Sequence, residues 1–522
     1  MQQTMNYPVR TAQVPQSLVS MTALRSVRAS MRRDPSRKAI VFDGAERSYG
    51  DLVARCDKLR DAAITTLGLQ KGDHCAIVAR NCLEYMEVAL GMPDAGVAVA
   101  TVNPRFTPAE IRAVVENAEA KVVFVDQLTA QAVKSAGLDP EIPIFVFGED
   151  YEALLDGAGT PDSLPVIEEW DVWTIPYTSG TTGLPKGVQL SHRSRLLYGL
   201  VSSAEFGCFG PDDSFLVITP MAFGGGLAYP LATLASGGWF EILDRFDPEL
   251  TLRKLQSGAF TGIFMVPTHF QMVFELPQSV LDECRNPPIK ALISNAAPLP
   301  QAMKEKIIPF FGEGLLHELY SATEMGVVCS LRPRFQLLKE RCVGTPEPHA
   351  QIEIRREDGS ICDTDEVGEL WVSSPTLFNG YWKRPEETEK AIRDGWVTVG
   401  DLARRDADGF FYIVDRKKDM IISGGVNIYP REVEEVLVRH PAIAEVAVIG
   451  LPDERWGETL LTCAVLRPGE TLMASDIAEF CQDKLSAYKI PKILEIMDAL
   501  PRNANGKVLK TELRIRFAVP AE

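Results

Sequence analysis

Hydrophobic and polar positions follow two alternating patterns in the first quarter of the chain. Short apolar runs at 39–42, 74–78, 97–102 and 121–125 are typical of buried strands. Longer segments at 49–67 and 83–95 carry apolar residues at helical spacing. Thr107 and Glu110 form a capping-box pattern that predicts the start of another helix. The alternation of strand and helix therefore predicts an α/β fold with mostly parallel sheets.

The pattern changes twice further along the chain. A second α/β stretch covers 173–329, and a β-rich stretch at 341–415 contains predicted strands at 351–355, 368–372 and 410–414. A charged run at 415–419 precedes a segment with a predicted helix at 430–440 and a predicted strand at 444–448. We expect a large N-terminal body with a β-rich subdomain at 1–417 and a small, mobile α+β C-terminal domain at 418–522. The charged run predicts a hinge near Lys418, although a surface turn would have the same composition.

The composition narrows the possible classes of function. The 522 residues include 54 Lys and Arg against 71 Asp and Glu, a net charge of −17, which disfavours a nucleic-acid binder. The chain contains no uninterrupted apolar stretch of about 18 residues, so we expect no membrane span. The 10 cysteines are scattered without a C-x-x-C pair, which suits reduced thiols and a cytoplasmic location.

The N-terminal segment admits two interpretations. Residues 1–33 contain several arginines and no acidic residue, as a transit peptide would. The same segment carries apolar side chains at near-helical spacing, namely Leu18, Met21, Leu24, Val27 and Met31. This periodicity favours an opening helix that packs on the body.

The most informative segment for chemistry is a loop rich in hydroxyl groups and glycines. It contains Thr178, Ser179, Gly180, Thr181, Thr182, Gly183 and Lys186. Free backbone N–H groups, hydroxyl donors and one mobile cation are what a polyphosphate needs, and we expect the loop between a strand and a helix. The residue before Lys186 is Pro185, so the segment is not a Walker A motif, and no G-x-G-x-x-G fingerprint occurs in the chain.

Four further motifs follow the loop, and each alone is a weak signal. They are Tyr320-Ser321-Ala322-Thr323-Glu324, Thr398-Val399-Gly400-Asp401-Leu402, Asp415-Arg416-Lys417-Lys418-Asp419 and Pro501-Arg502-Asn503-Ala504-Asn505-Gly506-Lys507. In this order and at these distances, the five motifs resemble the adenylate-forming superfamily, which includes acyl-CoA synthetases, adenylation domains and firefly luciferase. The resemblance extends over nearly the whole chain and is specific because all five motifs are present.

The resemblance implies roles for single residues around ATP. The loop from Thr178 to Lys186 would bind the β- and γ-phosphates, and Glu324 would hold the Mg²⁺ ion, a hard ligand for a hard cation. Asp401 and Arg416 would contact the ribose. Further nucleotide contacts implied by the resemblance are Tyr320 on one face of adenine, backbone at Asn295, Ala296 and Ala297 on the other, Ser321, Ala322, and Thr323 at the α-phosphate. Taken alone, Glu324 and Asp401 would be ordinary turn or capping carboxylates.

The resemblance also implies a second half reaction. Lys507 would bridge the substrate carboxylate and the α-phosphate while the adenylate forms, although a lysine in an Asn-Gly turn is usually only solvated. Ser423, Gly424 and Gly425 match the segment that approaches the pantetheine arm of coenzyme A, as expected for an edge strand rich in glycine. The small domain would swing about Lys418 between the two reactions. The implied function is an ATP-dependent acid–CoA ligase with Lys507, Thr323, Glu324 and Lys186 as catalytic residues.

The segment that would bind the acyl group departs from the family pattern. Where Pro-x-Phe-His is frequent, the chain has Phe223 in place of the histidine, followed by Gly224, Gly225 and Gly226. The frequent glycine of a Gly-Ala-Pro segment is replaced by Ala296. We expect an apolar pocket for an aromatic, medium-chain or steroid side-chain acid, lined by Phe223, Gly224, Gly225, Tyr229, Met265, Val266 and Met325. His269 is expected to be a packed helix residue.

Other members of the superfamily remain as alternatives at this point. An adenylation enzyme that loads a carrier protein would use the same ATP site, and so would a luciferase-like oxidase. The Gly424-Gly425 segment favours the acid–CoA ligase, and the absence of Asp or Glu at the start of 221–229 disfavours an amino-acid substrate. Adenylate formers are often dimeric, so a homodimer is one state that the resemblance allows.

Overall fold

The computed structural model of the protein describes residues 19–178, 186–502 and 508–517. The first part of the chain alternates between helices and strands. In chain order these elements are α1 (Ala23–Met31), β1 (Lys38–Phe42), β2 (Ala45–Ser48), α2 (Tyr49–Thr65), β3 (His74–Val78), α3 (Leu83–Asp94), β4 (Ala98–Thr101), α4 (Pro108–Ala118), β5 (Ala120–Val125), α5 (Ala130–Ser135), β6 (Ile144–Val146), α6 (Glu149–Asp156) and β7 (Val172–Thr178).

The alternation continues through the second part of the body. Its elements are β8 (Lys186–Ser191), α7 (His192–Phe206), β9 (Ser214–Val217), α8 (Gly224–Ser236), β10 (Trp239–Ile242), α9 (Pro248–Gln256), β11 (Gly262–Met265), α10 (Pro267–Phe274), α11 (Gln278–Glu283), β12 (Ala291–Ser294), α12 (Gln301–Phe311), β13 (Leu316–Ala322) and β14 (Gly326–Leu331).

Strands dominate the rest of the chain. The elements are β15 (Thr345–Pro346), β16 (Gln351–Arg355), β17 (Gly368–Ser373), β18 (Gly380–Tyr381), α13 (Pro385–Ala391), β19 (Ile392–Arg393), β20 (Trp396–Val397), β21 (Asp401–Arg405), β22 (Phe411–Arg416), β23 (Ile421–Ser423), β24 (Val426–Ile428), α14 (Pro430–Leu437), β25 (Ile443–Asp453), β26 (Gly457–Leu466), α15 (Ala474–Cys481), β27 (Ile493–Ile496) and α16 (Lys510–Phe517). Short 3₁₀ turns lie at Pro333–Phe335 and Ala487–Lys489.

Local sequence signals explain where several helices begin. Thr107 Oγ1 accepts a hydrogen bond from the Glu110 backbone N–H at 3.4 Å, and the Glu110 carboxylate accepts one from the Thr107 N–H at 2.8 Å. The predicted capping box of α4 is therefore confirmed. Ser48 and Asp51 form the same reciprocal pair at the start of α2.

Two large sheets form the body within the described residues. Seven strands are ordered β18-β8-β7-β4-β3-β5-β6, and nine are ordered β15-β14-β13-β12-β11-β9-β10-β1-β2. The central pairings of both sheets are parallel. The hairpin of β1 and β2 joins the second sheet through β10, although strands β3 to β7 that follow it belong to the first.

Apolar side chains form three layers of core around these two sheets. One core lies between the sheets and contains residues of α1, α2, α3, α7 and α8. A second covers the outer face of the nine-stranded sheet with α9 to α12, and a third covers the outer face of the seven-stranded sheet with α4 and α5. The expected α/β class is therefore confirmed, with helices and sheets stacked in alternate layers.

A β-rich subdomain and a small α+β unit complete the fold. Strands β19, β20, β17, β21 and β22 form a sheet in that order, with β16 paired to β17. The C-terminal unit has the order β24-β23-β26-β25, with β27 beside β26. Its sheet packs α14 and α15 on one face and α16 on the other. These features confirm the expected body, subdomain and C-terminal α+β unit.

Polar contacts join the C-terminal unit to the body. Arg439 forms an ion pair with Glu340 at 2.8 Å, and Glu435 pairs with Arg341. The Arg431 backbone N–H donates to Asp415 at 2.9 Å. Helix α14 therefore contacts the body through a backbone N–H in its first turn, the Glu435 side chain near its end and the Arg439 side chain just beyond it.

Two further structural findings concern the whole described chain. Over residues 19–178, 186–502 and 508–517, no helix has the length and apolar character needed to cross a membrane. All 10 cysteines lie in this described part, where each is buried and free.

One expectation about local structure was wrong. The hydroxyl-rich loop was expected before a helix, but β8 begins at Lys186 and pairs antiparallel with β7, with Thr178 opposite Lys186. Helix α7 starts only at His192, after β8 has ended. Alternation of Val188 and Leu190 with polar neighbours places both in one core, as the two-residue period of a strand requires.

Candidate active site

The candidate site lies where parallel strands of the nine-stranded sheet end. Val266, Asn295 and Thr323 come directly after β11, β12 and β13, which are neighbours in that sheet. Ligands of open α/β sheets bind outside the carboxyl ends of such strands. The strand order of the sheet thus brings together three segments that span about 60 residues of the chain.

The Tyr320 hydroxyl connects this edge to the β-rich subdomain. It donates a hydrogen bond to Asp401 Oδ2 at 2.5 Å, and Arg416 Nε lies 3.1 Å from Asp401 Oδ1. Asp401 and Arg416 are directly opposite each other on the antiparallel strands β21 and β22. Burial, with a smaller contribution from Asp401, raises the pKa of Tyr320 far above its ordinary value, so the hydroxyl stays protonated and donates. Three predicted nucleotide residues from three motifs are therefore in contact.

The segment after β12 contains an unusual backbone conformation. Asn295 Nδ2 donates to Ser321 Oγ at 2.5 Å, which ties this segment to β13. Ala296 has φ of +76°, in the left-handed region that favours glycine. Ala296 and Ala297 are both exposed and follow directly on the segment that leaves β12. Alanine is therefore strained at the position where the family motif frequently has glycine.

A second network joins Lys186 to Glu324. The Tyr381 hydroxyl donates to Glu324 Oε1 at 2.8 Å, and Lys186 Nζ lies 5.2 Å from the centre of the Tyr381 ring. The Lys186 ammonium also forms an ion pair with Glu387. Thr323 and Glu324 occupy the turn between β13 and β14 and are partly exposed, as is Ala322 at the end of β13. The predicted phosphate cation and the predicted metal ligand thus lie on two sides of one tyrosine.

A buried arginine supports the turn that contains Thr323. Arg195 on α7 is 5% exposed, and its Nη2 lies 3.4 Å from the carbonyl oxygens of Thr323 and Thr376. Its guanidinium is 5.6 Å from the centre of the Tyr198 ring. Burial lowers the pKa of Arg195 to about 10. No ion pair of the described residues involves this guanidinium. Its role here is to connect two backbone carbonyl groups through hydrogen bonds.

The predicted acyl residues do not all lie together. Phe264 and Val266 join the core between the two sheets, whereas Met265 points to the core on the outer face of the nine-stranded sheet. Met325 is fully buried in a third core, with Val188. Alternation along a strand explains why Met265 points away from Phe264 and Val266. Met265 and Met325 therefore lie in two other cores and do not share a surface with the rest of the predicted set.

The remaining acyl candidates surround the start of α8. Phe223 is partly buried at its N-cap position, and a Cβ atom at Gly224 would meet no atom within 4 Å. A Cβ at Gly225 would lie 3.0 Å from the Phe264 ring. Tyr229 is 1% exposed and stacks on Phe209 at 5.7 Å between ring centres. Gly224 therefore opens space, Gly225 permits close packing, and Tyr229 belongs to the core.

The expected packing of His269 is observed. Its ring stacks on Phe246 at 4.1 Å, and burial lowers its pKa to about 4. Its Nδ1 accepts a hydrogen bond from the Val266 backbone N–H at 3.3 Å. The neutral ring therefore caps the start of α10.

The two glycines assigned to coenzyme A form a hairpin turn. Ser423 on β23 pairs with Val426 on β24, so Gly424 and Gly425 are the two central residues of the turn. Their φ angles are +58° and +78°, as in the two-residue turns that favour glycine. A Cβ at Gly424 would lie 3.0 Å from the Trp456 ring. The turn requires a positive φ at both positions, which accounts for the two glycines. The expected edge-strand conformation is found only in the flanking residues Ser423 and Val426.

The predicted hinge residue, Lys418, lies two residues after Arg416, which contacts Asp401. Lys418 lines a cavity of about 260 Å³ together with Val399, Gly400, Arg416 and Lys417. Burial lowers the pKa of Lys418, while the neighbouring Asp419 opposes this effect. Asp419 in turn pairs with Arg514 on α16 at 3.0 Å. The segment that leaves β22 is therefore in contact with both the predicted ribose residue and the last helix.

Several predicted residues lie outside the described part of the chain. These are Ser179, Gly180, Thr181, Thr182, Gly183 and Lys507, and only the backbone of Thr178 is described. Their assigned roles stay predictions. Lys186 and Val508 mark the points where the described chain resumes after each segment.

Sequence reasoning missed three residues of the site. Tyr381, Glu387 and Arg195 carry no motif signal, because their contacts depend on strand pairing and helix packing between distant segments. The pairing of β18 with β8, about 190 residues earlier, is what brings Tyr381 to Glu324. No group of three or more His, Cys, Asp or Glu that could hold a metal ion occurs among the described residues.

The fold and the site together define an enzyme of the adenylate-forming superfamily, and the chain belongs to the AMP-binding enzyme family. That family matches residues 27–382, and the AMP-binding enzyme C-terminal domain matches residues 432–507. The resemblance drawn from the five motifs is therefore confirmed.

Several relatives over nearly the full length are CoA ligases. A 2-succinylbenzoate–CoA ligase of Bacillus cereus is 31% identical over 489 residues, covering 92% of this chain and 95% of that protein. The long-chain-fatty-acid–CoA ligase of Bacillus subtilis (strain 168) is 32% identical and covers 93% and 92%. The feruloyl-CoA synthase of Amycolatopsis sp is 32% identical and covers 93% and 97%. These relatives confirm the acid–CoA ligase branch of the superfamily.

Solved structures support the same branch. The o-succinylbenzoate CoA synthetase of Bacillus subtilis, in complex with its acyl-adenylate intermediate, has a TM-score of 0.84 and 26% identity, covering 95% of this chain and 99% of that one. ATP-bound MatB from Rhodopseudomonas palustris has a TM-score of 0.85 and 28% identity, covering 95% and 99%. The chain is therefore similar in fold to enzymes seen with ATP and with an acyl-adenylate.

Proposed function

We propose that the protein is an ATP-dependent acid–CoA ligase that converts a carboxylic acid, ATP and coenzyme A into acyl-CoA, AMP and diphosphate. The names of its relatives support this reaction. The observation that carries the proposal is the contact of Tyr320 with Asp401 at 2.5 Å, beside the Tyr381 link from Glu324 to Lys186. The end of β13 thereby places Tyr320, which would contact the nucleoside, close to Glu324, which would face the polyphosphate.

In the first half reaction, a carboxylate oxygen attacks the α-phosphorus of ATP. The bond from the α-phosphorus to the bridging oxygen breaks, and diphosphate leaves with the electron pair. Negative charge builds on the phosphate oxygens, so placed cations lower the barrier. Lys186 would neutralise the leaving diphosphate, and Lys507 would bridge the substrate carboxylate and the α-phosphate. The backbone carbonyl of Thr323 accepts a hydrogen bond from Arg195, and Thr323 would in turn donate a hydrogen bond to the α-phosphate.

Mg²⁺ would assist this step by neutralising charge on the phosphate oxygens. Glu324 fits the ion because its carboxylate is partly exposed at the turn after β13 and accepts only one described hydrogen bond, from Tyr381. A Mg²⁺ ion is typically held by one or two carboxylates together with phosphate oxygens and water. Glu324 would therefore be the protein ligand.

In the second half reaction, the sulfur of coenzyme A attacks the acyl carbon of the adenylate. The mixed anhydride bond breaks, AMP leaves, and the thiol proton passes to solvent or to AMP. We infer that the C-terminal unit turns about Lys418 between the two steps, with Ser423, Gly424 and Gly425 facing the pantetheine arm in the second. The cavity shared by Lys418 and Arg416 supports a coupling of hinge movement to the nucleotide site.

The acyl group would occupy the space beside Phe223 and Gly224. Phe264 and Val266 line the same side of β11, which supports an apolar acid of aromatic, medium-chain or steroid side-chain type. We further propose a cytoplasmic location, because the 10 cysteines of the described part are free and buried and need no oxidising compartment.

The first half reaction is tested by acid-dependent exchange of labelled diphosphate into ATP. Purified protein is incubated with ATP, Mg²⁺ and labelled diphosphate, and single acids from an apolar panel, followed by single amino acids, are added in turn. We expect exchange with some of these acids and none without acid. Exchange with amino acids alone would contradict the proposed acyl class, and the absence of exchange with every acid would contradict the proposed reaction.

A further inference from the structure

One segment of the chain contacts both charged groups of the polyphosphate site. Gly380 and Tyr381 of β18 pair with Gln189 and Val188 of β8, and the Trp382 N–H donates to the Gly187 carbonyl at 2.8 Å. The segment therefore runs beside the strand that begins at Lys186, and α13 follows it at Pro385. Tyr381 reaches Glu324 from this segment, and Glu387 reaches Lys186.

Glu387 compensates the charge of Lys186 within the chain. The two side chains are 26% and 19% exposed and form an ion pair. The other carboxylate oxygen of Glu387 accepts a hydrogen bond from Arg384 Nη1 at 2.6 Å. Lys186 and Arg384 hold the pKa of Glu387 below its ordinary value against the effect of burial, so the carboxylate is ionised at neutral pH. Glu387 is thus a fixed anion between two cations.

A phosphate group that binds Lys186 competes with this carboxylate, because both anions approach the same ammonium. The Lys186 ammonium carries a compact charge that interacts with any anion close to it. Its pair with Glu387 is partly buried, so a carboxylate that gives way to a phosphate loses part of its electrostatic attraction to Lys186. The Glu387 anion therefore opposes phosphate binding, because it already neutralises Lys186 and repels a second anion. The carboxylate stays near, since Arg384 still binds it, and it can return when the phosphate leaves.

We propose that Glu387 is a positioning residue that competes with the terminal phosphates of ATP for Lys186. It holds the ammonium in place before ATP binds, and it takes the ammonium back as diphosphate departs. The inference rests on the proposed ATP-dependent reaction. It predicts that Glu387 weakens the binding of ligands with β- and γ-phosphates and leaves AMP unaffected.

The test compares wild type with Glu387→Gln by titration calorimetry with three probes, ATP with MgCl₂, inorganic diphosphate and AMP. We expect the dissociation constants of ATP and diphosphate to fall about fivefold in Glu387→Gln, the size of one partly exposed ion pair. The constant for AMP should not change. Glu387→Asp keeps the charge on a shorter side chain, and its constants should lie between those of wild type and Glu387→Gln.

Glu386→Gln is the matched control, because Glu386 is exposed on the same first turn of α13 and takes part in no ion pair of the described residues. It should bind all three probes as wild type does. Weaker or unchanged binding of ATP and diphosphate by Glu387→Gln would overturn the inference, and so would a parallel change for AMP. If no variant bound ATP, the proposed function itself would fail, and the inference with it.

Discussion

The hydroxyl group of Tyr320 donates a hydrogen bond to Asp401 at 2.5 Å and joins β13 of the body to β21 of the β-rich subdomain. Asp401 is 5% exposed and also contacts Arg416 at 3.1 Å. A buried carboxylate with two donors is held in one orientation, and its remaining lone pairs can accept from a sugar hydroxyl. This contact therefore fixes the predicted ribose residue in the site.

Asp401→Asn tests the role of this carboxylate in nucleotide binding. The amide keeps the shape but loses the charge, so hydrogen bonds from ribose and Arg416 weaken. We expect the dissociation constant for AMP to rise at least about tenfold, the usual size of a charged hydrogen bond. Calorimetric titration with AMP measures it. Tyr320→Phe keeps the ring and should have a smaller effect, and unchanged AMP binding by Asp401→Asn would refute the assignment.

Ala296→Gly tests the strain after β12. The φ angle of +76° disfavours alanine, and glycine adopts it without steric cost. We expect the free energy of unfolding to increase by about 1 kcal/mol, which raises the melting temperature. Ala297→Gly is the control, because Ala297 has no positive φ, and it should be neutral or slightly destabilising. A lower melting temperature for Ala296→Gly would show that its side chain makes contacts worth more than the strain.

Glu347 should make stability depend on pH. Burial raises the pKa of Glu347 to about 7, with Glu205 adding to the effect and Arg332 opposing it. Both of its carboxylate oxygens lack a hydrogen-bond partner among the described residues. Because its pKa is raised in the folded state, stability is highest below the unfolded pKa of about 4.5 and falls as the pH rises through about 7, by up to about 3 kcal/mol.

Glu347→Gln checks this dependence, since glutamine stays neutral at every pH. Thermal unfolding of both proteins at pH 5 and pH 8 should give similar melting temperatures at pH 5 and a higher value for Glu347→Gln at pH 8. An equal difference at both pH values would mean that ionisation of Glu347 does not contribute.

Separate variants should divide the two half reactions. Lys507→Ala should lose diphosphate exchange by about 100-fold or more, since a bridging cation is removed, yet still convert supplied acyl-adenylate with coenzyme A. Gly425→Ala should slow the second step only, because its φ of +78° strains the hairpin that would face pantetheine. Gly469→Ala, with φ of +82° and open space around it, is the control. Equal losses in both steps would contradict the two-pose mechanism.

Sequence signals sufficed where the determinants were local or belonged to a motif. The capping box at Thr107 and Glu110 predicts α4, and the motifs around Tyr320, Asp401 and Arg416 contain residues that the structure brings into contact. The apolar periodicity likewise indicated α1, which begins at Ala23 within the predicted segment. Short-range hydrogen bonds and periodicity determine these features, and a sequence displays both.

Non-local pairing was beyond the same reasoning. Nothing in the sequence indicates that β1 pairs with β10, or that β18 places Tyr381 beside Glu324. Met265 was grouped with Val266, yet adjacent strand residues point to opposite faces, and the sheet order decides which core each enters. The loop before Lys186 looked like the start of a helix because glycines and hydroxyl groups suit both a helix N-terminus and a hairpin.

The most direct test of the proposed function measures acyl-CoA and AMP together. Purified protein is supplied with ATP, Mg²⁺ and coenzyme A, and each acid of an apolar panel is tested in turn, with and without coenzyme A. We predict that at least one acid gives acyl-CoA and AMP in equal amounts, and that multiple turnovers require coenzyme A. AMP release without acyl-CoA from every acid that is activated would contradict the assignment as an acid–CoA ligase.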